Sequence, residues 1–164
     1  MSKLILSLDG GGIRGAATTQ FLTHVEKALQ VKHQKSLRDC VDFYAGTSTG
    51  SLIALALATT DMGIQDINKL YSYANAKKIF IENRGAFELD GINAPKYEAK
   101  GKTDILKKSL GQAKIKDVPE GKHILAITYG VEKHRPHVIK STRSEFQNLL
   151  SYQVADASSA GPTY

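Results

Sequence analysis

Two short glycine-bearing stretches hold residue types that can do chemistry. Residues 46–50 read GTSTG, with Ser48 flanked by Gly46 and Gly50 two positions away on each side. A serine hydroxyl is a weak nucleophile until a base takes its proton and it projects from a defined point. The G-x-S-x-G spacing suits a tight strand-to-helix elbow completed by Thr47 and Thr49, in which the glycines stay small because strand and helix pass close together. The same letters would also suit a Ser/Thr-rich loop that only caps a helix. Residues 6–15 read LSLDGGGIRG. Their G-x-G-x-x-G spacing fits a dinucleotide-binding turn, which needs an acidic residue about 20 positions on, at the end of a second strand. Asp39 and Asp42 fall only roughly there, before or at the opening of that strand. The other reading is an oxyanion hole. Bare glycine amides can turn toward a developing negative charge, Arg14 adds fixed positive charge, and each donor is worth roughly 3–4 kcal/mol in the transition state.

Either chemistry needs a strand before each stretch and a helix after it. KLILSL (3–8) reads as a short buried strand. From Arg14 a helical pattern follows, with Ala17, Phe21, Leu22, Val25 and Leu29 as its apolar positions. VDFYA (41–45) is a second strand. TGSLIALALATT (49–60) is a helix apolar on most sides and therefore buried. Residues 64–80 read as an amphipathic helix. Residues 83–102, with Gly85, Gly91, Pro95 and Gly101, read as a loop. Residues 103–111 read as a helix with Thr103 as N-cap and Gly111 as its stop. Strands follow over 123–131 and 137–142, joined across EKHRP, and a last helix over 148–160 ends at Gly161-Pro162. Strands alternating with helices predict a parallel α/β sheet covered on both faces.

The bulk numbers fit one soluble globular domain: 164 residues, 41% apolar and 23% charged. One cysteine, Cys40, excludes a disulfide framework and fits a reducing, cytoplasmic compartment, with the thiol a small buried filler beside Val41. LILSL stops at Asp9 and LIALALA is far below the roughly 20 residues of a membrane span, so neither a leader nor a span is expected. The net charge is 22 − 16 = +6, and eight lysines fall between Lys96 and Lys122 against four acids. That run reads first as a solvated face and second as a surface for an anionic partner.

DGGGIRG (9–15) followed by GTSTG (46–50) resembles the patatin-like phospholipase family of lipid acyl hydrolases. PKY (95–97), the helix ending at Gly111, HILAITYGV (123–131) and ASSAGPTY (157–164) fall in the family's order, so the resemblance covers the whole chain. It implies a three-layer α/β/α fold with a mainly parallel central sheet, related to the α/β-hydrolase architecture. It implies a Ser–Asp dyad without a catalytic histidine, Ser48 as nucleophile, and an oxyanion hole in Gly10, Gly11 and Gly12 (the amides of Gly11 and Gly12 above all), supported by Arg14. It implies no metal and no cofactor. The substrate would be a membrane phospholipid or other glycerolipid met by peripheral membrane contact, with no nucleic acid as partner.

The family's general base is an aspartate in a D-G-G or D-G-A motif beyond the SAGPTY region. The chain is therefore expected to be a single domain, residues 1–164, lacking the C-terminal part with the dyad aspartate. Such a sheet would be left with an incomplete edge, open to self-association. Other candidates for the base are weaker. Asp90-Gly91 reads as a turn, Asp9 as part of the glycine motif, and Asp156 as a surface or loop-facing carboxylate. His134 and His137 follow Ser48 in the order of a Ser-His-Asp triad but sit between two strands, where histidines face solvent; as metal ligands they lack a third partner. The alternatives to a hydrolase are a catalytically incomplete lipid-binding fragment and, last, a dinucleotide-binding domain.

Overall fold

Leu6 and Leu8 point one way along the first strand and Ile5 and Ser7 the other, and this alternation sets the layers of the molecule. The computed structural model describes residues 2–75 and 99–160. Strands β1 (Ile5–Leu8), β2 (Phe43–Thr47), β3 (His123–Gly130) and β4 (Arg135–Lys140) form a four-stranded sheet in that order. β1 pairs with β2 and β2 with β3 in parallel, whereas β3 and β4 form an antiparallel hairpin. A parallel return needs a crossover of a dozen or more residues, and only residues 131–134 separate β3 from β4. With its flanking helices the chain has a three-layer α/β fold built on a mixed sheet.

Leu6, Leu8, Tyr44, Gly46, Ile124, Ala126 and Ile139 share one face of the sheet through the strand register. Helix α3 (Thr49–Thr59) packs along that face and is buried at every position but Leu52. Its Ala- and Leu-rich sequence allows this, since each fully buried Ile or Leu contributes about 1.5–3 kcal/mol. Helices α1 (Gly15–His33), α4 (Ile64–Lys69) and α6 (Ser151–Ser158) close around it, and α5 (Ala99–Leu110) packs on α6. The short α2 (Leu37–Cys40) leads into β2. Both parallel steps run in the same direction across the sheet. On the other face the described residues leave Ile5 63%, Ile127 41% and Tyr129 57% exposed.

The elements depart from the sequence reading in definite places. β1 is half-buried, not buried. On α1 the inward stripe is Gly15, Thr19 and Leu22, with Val25 and Leu29 partly covered; Ala17 is exposed, and Phe21 is 66% exposed. Neighbouring helical residues lie about 100° apart, so Phe21 and Leu22 cannot both face inward. Thr19 fixes the choice, because its buried hydroxyl donates to Asn68 Oδ1 of α4 at 2.7 Å. The helix expected over 64–80 is interrupted after Lys69: the amides of Leu70, Tyr71 and Ser72 turn back to carbonyls three residues earlier, Asn75 Nδ2 donates to the Lys69 carbonyl at 3.0 Å, residues 73–75 are helical again, and 76–80 lie outside the described residues. α5 starts at Ala99, inside the expected loop, so Thr103 is not its N-cap. Its stop at Gly111 is as read, with φ +54. α6 is shorter than 148–160. Cys40 is half-buried. Most of the expected 83–102 loop, with Asp90-Gly91 and PKY, and the terminal Gly161-Pro162 lie outside the described residues. Among the described residues no helix is long and apolar enough to cross a membrane.

Candidate active site

β2 ends at Thr47 and α3 begins at Thr49, so Ser48 alone makes the turn. Its backbone takes φ 52 and ψ −125. An L-residue held in such a region costs about 1–3 kcal/mol and persists only where its surroundings over-determine it. The surroundings do so here. A Cβ on Gly46 would run into the carbonyl group of Gly50, and a Cβ on Gly50 into that of Leu8. The Ser48 carbonyl accepts the amides of Ser51 at 3.0 Å and Leu52 at 3.2 Å, and the buried Ser51 hydroxyl at 2.6 Å. The Ser48 amide donates to Ser158 Oγ at 2.8 Å. The Ser48 hydroxyl makes no capping bond to α3. The simple helix-cap reading of GTSTG therefore does not describe this turn.

The pairing of Leu8 with Gly46 brings residues 9–12 beside the elbow. Gly10 lies so close that a Cβ on it would stand 3.0 Å from Ser48 Cβ. Gly12, at φ 56, bends the chain into a single 3₁₀ turn, Gly12–Arg14. Arg14 reaches back to the Gly11 carbonyl with its amide at 3.1 Å and its Nε at 3.4 Å, which pins the loop. α1 then opens at Gly15, where a Cβ would stand 2.5 Å from Thr49 Oγ1 and 2.7 Å from Tyr71 Cε1. The first residues of α1 and α3 thus lie side by side. Two positive helix ends meet at the glycine loop, a favourable place for negative charge. The Tyr71 hydroxyl is hydrogen-bonded to Thr49. Burial pushes its pKa up to about 12, against the smaller opposing pull of that bond, so it remains a neutral phenol.

Asp42, Asp39 and Asp156 are engaged elsewhere. Asp42 sits at the far end of the sheet, accepting the Leu4 amide at 2.9 Å and the Lys3 ammonium at 2.9 Å, which hold it below the usual carboxylate range. Asp39 accepts the Ser36 amide at 2.8 Å in a capping box at the start of α2. Neither stands at the C-terminal end of β2, where a dinucleotide site would need an acid. Asp156 accepts the Thr103 hydroxyl at 2.9 Å and pairs with Lys102 at 3.0 Å, fastening α6 to α5. Asp9 is exposed at the start of the glycine loop. His137 lies on β4, beyond β3 from Ser48, with its ring edge-on to Phe146 at 5.4 Å; His134 is exposed in the hairpin turn. The structure thus gathers Ser48 with Gly10, Gly46, Thr49 and Gly50, and leaves both histidines and Asp156 in structural positions. Ser158, Tyr71 and Lys102 escaped the sequence reading. No local pattern marks Ser158, which stands 110 positions from its partner.

The profile of the patatin-like phospholipases matches residues 6–164 of the chain. The chain belongs to the patatin-like phospholipase family. It is 31% identical to patatin-like protein 1 of Arabidopsis thaliana over 98% of its own length and 42% of the relative's. It is 27% identical to patatin-17 of Solanum cardiophyllum, again over 98% of the chain and 42% of the relative. The chain spans less than half the length of these curated relatives. Its fold is shared with VipD from Legionella pneumophila, at TM-score 0.61 and 14% identity over 99% of this chain and 43% of that one. The type III effector protein ExoU has TM-score 0.55 and 15% identity over 98% and 40% of the respective chains. The two glycine stretches lie side by side, and membership of this family sets the dinucleotide reading aside.

Proposed function

We propose that this patatin-like chain supplies the nucleophile and the oxyanion donors of a lipid acyl hydrolase acting on glycerolipid esters. The observation that carries the proposal is the Ser48 elbow, held at φ 52 beside the bare Gly10–Gly12 loop. Ser48 Oγ attacks the acyl carbonyl. The carbonyl π electrons move onto oxygen, and the Gly11 and Gly12 amides donate to that oxyanion at the joint N-terminal ends of α1 and α3. Arg14 keeps the loop in place through the Gly11 carbonyl. Collapse expels the protonated alcohol and leaves an acyl-serine, which water hydrolyses to the free acid and regenerated Ser48. The proton is taken by the aspartate of the family's dyad, a role for which Asp39, Asp42 and Asp156 are not free. The exposed Lys107 and Lys108 of α5 and the net charge of +6 suit contact with an anionic lipid surface.

The engagement of Asp42, Asp39 and Asp156 elsewhere favours a second reading, in which the chain binds lipid without turning it over. Intact mass of the longest natural form of the protein after incubation with a fluorophosphonate separates the two. A single adduct on wild type and none on Ser48→Ala supports an activated serine; no adduct on folded wild type supports the binding module.

A further inference from the structure

The proposed site explains why Ser48 must be strained but not what keeps the turn closed on its outer side. After Thr47, which stands opposite Ile127 in the sheet, β2 leaves the ladder to enter the elbow. The gap is bridged by a side chain. Ser158 Oγ accepts the Ser48 amide at 2.8 Å and donates its own proton to the Ile127 carbonyl at 2.5 Å. One hydroxyl, accepting one hydrogen bond and donating its single proton to another, extends the β2–β3 pairing by one residue.

The bridge is itself anchored. Ser158 is the last residue of α6. Two residues earlier, Asp156 is tied to α5 through Thr103 at 2.9 Å and Lys102 at 3.0 Å. Lys102 also donates to Ser159 Oγ at 3.2 Å. At the other end of α6, the buried hydroxyls of Ser151 and Thr59 meet at 2.8 Å and fix the helix to α3. The Ser158 side chain therefore arrives from a helix secured at both ends.

We propose that Ser158 is a positioning residue: its hydroxyl clamps the Ser48 elbow to β3 and holds the nucleophile in its attacking geometry. The part that concerns reactivity rests on the acyl-hydrolase reading; the clamp itself does not.

The test uses the longest natural form of the protein with Ser158→Ala and Ser158→Thr, read in two ways. Hydrogen exchange at the Ser48 amide, followed by NMR, reports the clamp whether or not the serine reacts. Losing one hydrogen bond is expected to speed that exchange roughly three- to tenfold in Ser158→Ala, with core amides such as Tyr44 and Ile124 unchanged. Ser158→Thr, which keeps the hydroxyl, is expected to restore it. The rate of fluorophosphonate adduct formation is expected to fall in Ser158→Ala and recover in Ser158→Thr. Unchanged Ser48 exchange in Ser158→Ala overturns the clamp, as does faster exchange spread equally over the core. A Ser48 amide that loosens with no change in adduct rate overturns the positioning role. If wild type forms no adduct, the hydrolase reading fails by itself and the exchange data alone decide the clamp.

Discussion

The carbonyl of Leu8 occupies the space into which a side chain on Gly50 would grow, so β1 and the first turn of α3 touch backbone to backbone. Any side chain at position 50 must push α3 away from β1. Gly50→Ala is therefore expected to destabilise the fold by about 1–3 kcal/mol, the usual cost of overpacking a closed contact. A urea unfolding curve checks this; a midpoint equal to that of wild type would show that the contact is not closed.

Strain at Ser48 makes a second prediction of opposite sign. Glycine tolerates φ 52 without penalty, so Ser48→Gly is expected to raise stability by about 1 kcal/mol, whereas Ser48→Ala keeps the strain and is expected to lie near wild type. The comparison is a pair of denaturation curves. Equal stability of the two variants would mean that the elbow relaxes at no cost.

Asp156 separates structural from chemical roles. Asp156→Ala removes a half-exposed ion pair and the Thr103 hydrogen bond, and is expected to cost on the order of 1 kcal/mol. Because its carboxylate is held by α5, Asp156→Asn is expected to leave the rate of Ser48 adduct formation unchanged. A rate that collapses in Asp156→Asn would return this residue to the candidates for the base.

Tyr71 and Tyr44 set an alkaline limit. Burial pushes both phenols up to about 12, from an ordinary 10.0. The unfolded chain gives up these protons near 10 while the folded chain keeps them. The stability they confer is full below that pH and is lost as pH rises through about 12. Tyrosinate absorbance should show a late step that shrinks in Tyr71→Phe. A titration complete by pH 11 would contradict the burial of both rings.

Much of the site was legible because its determinants are local. Gly46, Ser48 and Gly50 lie within one turn, and the requirement for small residues where strand meets helix is written directly in the letters. The apolar monotony of α3 likewise announced its burial. What stayed hidden depends on distant partners. Phe21 looked as good a core residue as Leu22 until Asn68 captured Thr19 and set the rotation of α1. Thr103 looked like a cap because the sequence cannot show Asp156 waiting for its hydroxyl. The start of α5 and the interruption after Lys69 are end effects, decided by i−3 bonds and a side-chain amide. Ser158 sits in a run of small residues where nothing distinguishes it from Ser159.

The span between Ser48 and Ser158 also bears on the order in which the molecule assembles. Parallel pairing of β1 with β2 already closes a loop longer than α1, and the elbow's outer tie closes a loop of 110 residues. Contacts so far apart in the chain form late, after the local helices. A growing polypeptide carries Ser48 through the synthesis of 110 further residues with that tie unmade. The closed form of the elbow is then one of the late products of folding, made after the strand and helix that it joins.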